Sequence, residues 1–276
     1  MWASFTKKSL RSRCNIFIAA TALCDIVHQV AHLLWAIFYF GGIEVPLRTC
    51  YHIQNLPQLG CNMGSTLLLM IALDRLLCVC KPALYERLNT PFYVPTALIV
   101  ASIPPLWIAV YAYREMIQAP NDPVPCVITG GLLPKSIELF FTVNSSIITI
   151  TMFLYAVIWM FVKKKNYTAS RQMLRSITTV SLCVIGGWFI TMNAGNVFKL
   201  FGIKITSLVI MYNGQILNLS VSLNYVIYFI MSREYRGAFV QQWRIMSCGM
   251  LQFAGIKVED TTKFSLTGKK QLSSVS

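Results

Sequence analysis

The sequence predicts an all-α integral membrane protein, built as a bundle of transmembrane helices. Hydrophobic residues make up 55% of its 276 residues and charged residues only 12%, about half the charged fraction of a soluble domain. Six long stretches are nearly free of Lys, Arg, Asp and Glu, and a helix needs about 20 mostly apolar residues to cross the hydrocarbon core. Because these stretches do not alternate between apolar and polar residues, they favour helices over a β-barrel. The composition also excludes a disordered chain and a disulfide-rich scaffold.

Each predicted helix covers one of these stretches. The six helices lie near residues 14–41, 49–78, 90–113, 138–162, 174–198 and 205–231. They form a predicted transmembrane bundle over residues 1–245, and the segment 232–239 is predicted to be a short amphipathic helix on the membrane surface. The tail, residues 246–276, is rich in Ser, Thr and Lys, so we predict that it is disordered in the cytoplasm.

Lys and Arg are divided unevenly between the two sides of the predicted bundle. The N-terminal segment, the loops after the second and fourth helices and the tail carry 19 of the 24 Lys and Arg residues, and the other loops carry 5. Because cytoplasmic loops carry the excess of Lys and Arg, this division predicts that both ends of the chain are cytoplasmic. The net charge of +14 suits anionic lipid headgroups. We therefore expect a lipid membrane, and no nucleic acid, as a partner.

Two cysteines are predicted to lie on the outer side. Cys50 precedes Arg75 by 25 residues, about 37 Å of helix, which places it at the outer end of the second helix. Cys126 is the only cysteine in the long outer loop. Disulfides persist on the oxidising side of a membrane, so we predict a Cys50–Cys126 bridge. Two free thiols are the alternative.

A few polar residues stand out within the apolar stretches. Asp25 lies midway along the first helix, where a carboxylate is costly and normally has a role; the alternative is a neutral Asp that only joins helices. Asp74 and Arg75 end the second helix, where an ordinary interfacial charge pair is the alternative. His28 and His32 lie one turn apart, and we interpret them as pocket or core residues rather than as a zinc pair. We expect no metal and no other cofactor.

Several motifs together resemble those of a known receptor family. They are the basic run 8–15, the segment 71–79 that contains Asp74 and Arg75, and the Asn-Tyr-Val-Ile-Tyr segment at 224–228. Over residues 2–240 the chain resembles a rhodopsin-like G-protein-coupled receptor, and more narrowly the nematode serpentine chemoreceptors of the Srsx class. The resemblance implies a seven-helix receptor fold in the plasma membrane.

The resemblance also implies roles for individual residues. Arg75 matches the arginine that contacts the G protein, and Asp74 matches its restraining partner. Five further residues match parts of the activation switch of the family: Asp25, Tyr155, Trp188, Asn224 and Tyr228.

The chain departs from the family pattern in two places. The family has seven helices, and none of the six predicted here matches its first, so we expect that the first helix is missing from this sequence. Asp25 and the last helix would then lose a packing neighbour, which disfavours signalling. In the last helix Tyr225 replaces the proline of the family, which removes a source of helix kinking.

These observations predict a chemosensory receptor that binds a small extracellular ligand and activates a heterotrimeric G protein. The predicted ligand contacts, in the outer halves of the helices, are His28, Gln29, His32, Gln58, Asn193, Asn196 and Tyr212. Aromatic and amide groups among apolar neighbours suit a small, mostly neutral ligand. The alternative is a six-helix transporter or channel, which the single deep charge and the lack of a duplicated half disfavour. The sequence offers no catalytic constellation, so an enzyme is not expected.

Overall fold

A computed structural model describes residues 13–88, 90–164, 185–194, 197, 201, 207–231 and 233–253, and nearly all of them are helical. The helices are α1 (Arg13–Phe40), α2 (Leu47–Cys80), α3 (Pro82–Arg87), α4 (Tyr93–Met116), α5 (Pro134–Lys164), α6 (described over 185–194), α7 (Ser207–Met231) and α8 (Arg233–Phe253). Two short strands, β1 (Val45–Pro46) and β2 (Pro123–Val124), pair antiparallel.

The helices are long because a backbone inside lipid must satisfy its own N–H and C=O groups. Among the described residues, α1, α2, α4 and α5 are each long and apolar enough to cross a membrane. α7 has 25 residues and no charged side chain, and its length of about 37 Å also exceeds the hydrocarbon core. The prediction of an all-α membrane bundle is confirmed. Of the predicted helix at 174–198, residues 174–184, 195, 196 and 198 lie outside the described residues.

α2 is the central helix. It has 34 residues and packs against α1, α4 and α5. Gly60 is one reason for the close packing, because a Cβ atom at this position would lie 2.9 Å from the carbonyl oxygen of Cys24 on α1. Small residues of this kind let helix backbones approach each other in membranes.

The helix after α7 is longer than predicted. α8 runs for 21 residues to Phe253, whereas we predicted a short helix over 232–239 and a disordered tail from residue 246. The segment 246–253 is still largely apolar, which lets it extend an amphipathic helix. The rest of the predicted tail, residues 254–276, lies outside the described residues.

Tyr225 connects α7 to α8. Its ring stacks on Phe239 with the ring centroids 4.2 Å apart, and its hydroxyl accepts a hydrogen bond from Trp243 Nε1 at 2.7 Å. Arg236 donates to the carbonyl oxygens of Phe229 and Ile230 at 2.9 and 2.6 Å, two of the carbonyls that a helix end leaves without a partner. The residue that replaces the family proline therefore holds the surface helix against the last span.

The disulfide end of the bundle, defined by Cys50 and Cys126, is tied down by several contacts. The predicted disulfide is present, and it joins residues 76 positions apart with their Cα atoms at 5.4 Å. Beside it, the backbone N–H of Leu47 donates to the carbonyl of Asp122 at 2.8 Å, and Gln54 Nε2 donates to the carbonyl of Cys126 at 3.2 Å. The loop between α4 and α5 is thereby held over the start of α2.

A closed polar network lies deeper, between α2 and α5. Asn144 Nδ2 donates to Asn62 Oδ1 at 2.7 Å and to the carbonyl of Phe140 at 2.8 Å, and Ser65 Oγ donates to Asn144 Oδ1 at 2.6 Å. Asn62, Ser65 and Asn144 are all at most 2% exposed. Buried polar groups without partners are costly, so this network fixes how α2 and α5 are aligned.

Breaking the disulfide should weaken the fold. We expect Cys126→Ser to lower the free energy of unfolding by about 2–4 kcal/mol, because the bridge restricts the unfolded chain. Thermal denaturation of the purified protein in detergent measures the effect. Cys80→Ser, which removes a free thiol, serves as the control, and equal melting temperatures for the two variants would contradict the prediction.

Removing the centre of the polar network should also destabilise the bundle. Asn144→Ala deletes three hydrogen bonds, each worth about 0.6 kcal/mol inside a membrane protein. We expect a loss of about 2 kcal/mol, measured by the same denaturation assay. Ser146→Ala is the matched control, since the exposed Ser146 hydroxyl donates to the carbonyl of Thr142 on its own helix. A loss no larger than that of the control would show that the network does not hold α2 to α5.

Candidate functional site

A cavity of about 360 Å³ opens near the disulfide end, within the size range of small-molecule sites. It lies between α1, α5, α6, α7 and the loop that follows β2. Its walls include His28, His32, Trp35, Tyr39, Cys61, Val124, Pro125, Val127, Ile128, Thr129, Gly130, Leu132, Ile137, Phe140, Phe141, Thr191, Met192, Asn213, Gly214, Gln215, Leu217 and Asn218.

The two sides of this cavity differ in chemistry. What we call the polar wall is formed by α1, α6 and α7 and consists of His28, His32, Thr191, Asn213, Gln215 and Asn218. The apolar wall comes from the loop and α5 and consists of Val127, Ile128, Ile137, Phe140 and Phe141. A ligand with one polar and one apolar end matches this division.

The polar wall holds hydrogen-bonding atoms that have no partner. His28 is 3% exposed, and its ring packs edge-on against His32 with the centroids 5.3 Å apart. In the described part of the chain, His28 Nδ1, His32 Nε2 and Asn213 Oδ1 are enclosed without a hydrogen-bond partner. The other polar atom of the Asn213 side chain, Nδ2, donates to the carbonyl of Thr191 at 2.7 Å. A buried donor or acceptor without a hydrogen-bond partner is costly in a protein interior. Such atoms are typical of a place where a ligand binds.

The predicted contact residues are only partly brought together here. His28 and His32 line the cavity, and Gln29 supports the polar wall from behind by donating to Asn218 Oδ1 at 3.3 Å. Gln58 is buried within α2 and does not line it. The Asn193 side chain is instead bonded to Ser145 and to the carbonyl of Phe189.

Two further predicted contacts are not part of the cavity as described. Tyr212 is 68% exposed and does not line it, and Asn196 lies outside the described residues.

Sequence reasoning missed several lining residues. Trp35 and Tyr39 follow His28 and His32 on the same face of α1, and their spacing of three and four residues was the signal that could have found them. Asn213 and Asn218, like Gln215, are polar residues in a largely apolar helix. The loop at 124–130 had no such signal, because it is held over the cavity by the disulfide and by strand pairing between residues far apart in the sequence.

The arginine end, defined by Asp74 and Arg75, contains a buried ion pair. Asp74 is 0% and Arg75 5% exposed, and the two side chains form a salt bridge in which Arg75 Nε donates to Asp74 Oδ2 at 3.2 Å. Tyr85 on α3 covers the pair. Its hydroxyl accepts from Arg75 Nη2 at 3.3 Å and donates to Asp74 Oδ2 at 3.4 Å. Burial raises the pKa of the Tyr85 hydroxyl above its ordinary value, which is already high enough for the hydroxyl to donate at neutral pH.

Arg13 holds this cover in place. Its guanidinium lies over the Tyr85 ring, 3.9 Å from the centroid, a cation–π contact. The same group donates to the carbonyl oxygens of Tyr85 and Leu88 at 2.9 and 3.2 Å. The start of α1 is thus linked through Tyr85 to the pair at the end of α2.

Between the two ends, Asp25 and Trp188 both lie close to Gly64. A Cβ atom at Gly64 would be 3.7 Å from Asp25 Oδ1 and 3.8 Å from Trp188 Cζ2. Trp188 and Tyr155 are at most 1% exposed and belong to one hydrophobic cluster. The other two predicted switch residues, Asn224 and Tyr228, are positions of α7 whose side chains lie outside the described residues.

The comparisons with known proteins agree with these features. The family model described as serpentine type 7TM GPCR chemoreceptor Srsx matches residues 1–243. No curated protein is significantly similar to the chain. The match includes every helix that borders the cavity and both residues of the buried ion pair, and it favours a receptor over a transporter or channel. The chain therefore belongs to the Srsx family of serpentine chemoreceptors, multi-pass membrane receptors of the G-protein-coupled type rather than enzymes.

Proposed function

We propose that this protein is a chemosensory receptor that binds a small molecule in the cavity and activates a heterotrimeric G protein through Arg75. The observation that carries the proposal is the arrangement along α2. A cavity with no charged side chain among its described lining residues borders the half of this helix that contains Cys50 and Cys61, and a buried, covered ion pair lies at the other end. The match to the receptor family supports a role in signalling for this arrangement.

The proposed orientation in the plasma membrane follows from charge and from redox chemistry. The disulfide end faces outward, where a disulfide persists. The arginine end, the basic segment before α1 and α8 face the cytoplasm, where loops rich in Lys and Arg remain. The ligand then reaches the cavity from outside, and the G protein reaches Arg75 from inside.

The cavity and the switch residues share helices. Thr191 and Met192 line the cavity and lie three and four residues after Trp188, one helical turn away. A ligand that fits one position of α6 better than another shifts the population toward that position. We propose that Trp188 moves with α6 and changes its packing near Asp25, and that Tyr155, Asn224 and Tyr228 act in the same switch.

Activation at the arginine end requires that Arg75 exchange its partners. The resting pair is buried, and a buried charge that loses its partner is destabilising by several kcal/mol. Arg75 therefore leaves Asp74 and Tyr85 only when another group replaces them. We propose that the G protein supplies this group, so that receptor opening and G-protein binding depend on each other.

The cover over the ion pair should hold down activity without a ligand. Tyr85→Phe removes the hydroxyl that contacts Asp74 and Arg75 but keeps the ring on which Arg13 stacks. Losing these bonds costs the resting state about 1–1.5 kcal/mol. We expect ligand-independent activity to rise roughly tenfold, measured as nucleotide exchange on a G protein reconstituted with the receptor in vesicles. Unchanged or reduced exchange would contradict a restraining role.

Arg75→Ala tests the coupling itself. We expect it to abolish nucleotide exchange, also in combination with Tyr85→Phe, while the protein still binds small molecules. Arg87→Ala is the control, since Arg87 is an exposed basic residue at the end of the neighbouring helix α3. Exchange that survives in the Arg75→Ala variant would rule out Arg75 as the contact with the G protein.

A further inference from the structure

We infer that the cavity selects small neutral alcohols, held by the hydroxyl at the polar wall and by an alkyl or aromatic body at the apolar wall. The inference takes from the proposed function that the ligand binds in this cavity. What it adds is the chemical class of that ligand. It depends on the charge of the lining, on the partnerless polar atoms and on the shape of the two walls.

The uncharged lining of the cavity disfavours charged ligands. None of the described lining residues is Lys, Arg, Asp or Glu, so an ammonium or a carboxylate ligand would lose its hydration without gaining a counter-charge. Burying an unpaired ion is far more costly than burying a hydroxyl that finds a partner. A bound metal ion is not favoured either, because no third His, Cys, Asp or Glu joins His28 and His32 in a metal-binding group within the described chain.

The polar-wall atoms without a hydrogen-bond partner favour a ligand that carries a hydrogen-bond donor. Asn213 Nδ2 is committed to the carbonyl of Thr191 at 2.7 Å, which identifies the free atom Oδ1 as an acceptor. Each neutral imidazole adds one acceptor nitrogen and one N–H donor. Asn218 lies within hydrogen-bonding reach of the His32 ring, while His32 Nε2 stays without a partner.

An alcohol complements this set of atoms. Its O–H can donate to Asn213 Oδ1 or to an imidazole nitrogen, and its oxygen can accept from an imidazole N–H. Asn213 Oδ1 and the two ring nitrogens are all enclosed, so they meet such a ligand by rotation about χ2, a torsion that is broad for histidine and for asparagine. An ether of the same size can only accept, so it leaves Asn213 Oδ1 unsatisfied.

The apolar wall determines the body of the ligand. Phe140 and Phe141 lie edge to face with their centroids 5.2 Å apart, and Ile137 and Ile128 extend the same surface. Trp35 and Tyr39 border the cavity from α1. Aromatic surfaces of this kind bind an aromatic ring in offset or edge-on geometry, so a compact aromatic alcohol suits both walls.

The test uses four probes with one common body. They are 2-phenylethanol, its isomer benzyl methyl ether, phenylacetate and 2-phenylethylammonium. Binding to the purified protein in lipid nanodiscs is titrated by ligand-observed NMR, with empty nanodiscs as the blank. We expect the alcohol to bind roughly tenfold more tightly than the ether, the difference of one hydrogen bond to a buried acceptor. The two ions should bind more weakly than the ether.

Variants assign the preference to the polar wall. Asn213→Leu removes the acceptor Oδ1 together with the Nδ2 bond to the Thr191 carbonyl. It should reduce the alcohol-to-ether ratio of affinities to about one while the ether still binds, because the ether never used the acceptor. His32→Phe should reduce the ratio in the same direction. Tyr212→Phe is the matched control, since Tyr212 is the neighbour of Asn213 on α7 but is exposed and does not line the cavity. It should leave the ratio unchanged.

Binding and signalling are measured separately, so the two proposals fail separately. Equal or tighter binding of the ether, of phenylacetate or of the ammonium overturns the alcohol class, and so does the absence of any binding above the blank. The proposed receptor function stands in these cases if Tyr85→Phe still raises nucleotide exchange. An alcohol preference that depends on Asn213, found together with no exchange in any variant, supports the alcohol class and overturns the coupling to a G protein.

Discussion

The structure depends on one continuous helix that crosses the bundle and satisfies its own backbone hydrogen bonds. α2 carries Cys50 at one end and the Asp74–Arg75 pair at the other, and α1, α4 and α5 pack around it. Lipid offers no hydrogen bonds to the backbone, so a helix is the form in which such a segment can cross. Several polar side chains that α2 buries find partners on neighbouring elements, and those contacts help to determine where the neighbouring elements lie.

Partners of this kind are found at three levels of the bundle. The disulfide and the backbone contacts of β1 and β2 bring the loop over the cavity. Asn144 joins α5 to α2 in the middle, and its neighbour Ser145 donates to Asn193 on α6 at 2.8 Å. At the other end, Tyr85 covers the ion pair. α5 thus contacts the cavity, α2 and α6 within two helical turns, which makes it the natural route by which a bound molecule affects α6 in the proposed mechanism.

Much of the fold was predictable because lipid imposes a simple rule on the sequence. Uncharged stretches predict α1, α2, α4 and α5 to within four residues at each end, and cysteine placement predicts the disulfide. The walls of the cavity were less predictable. His28 and His32 stood out as polar residues in an apolar helix, but Gln58 and Asn193 stood out equally and bond or pack elsewhere. The roles of Arg13 and Tyr85 depend on how a loop folds back, and the length of α8 depends on apolar residues within a polar tail. The first has no periodic signal, whereas the amphipathic pattern of α8 continues to Phe253 and was missed.

The central claim is that α2 connects an outward ligand end to an inward coupling end, and thiol accessibility on intact cells tests it most directly. Asn121 is exposed in the loop at the disulfide end, and Glu86 is exposed in α3 at the arginine end. A membrane-impermeant maleimide should label Asn121→Cys on intact cells and should label Glu86→Cys only after the cells are permeabilised. Labelling of Glu86→Cys from outside, with Asn121→Cys protected, would contradict the account.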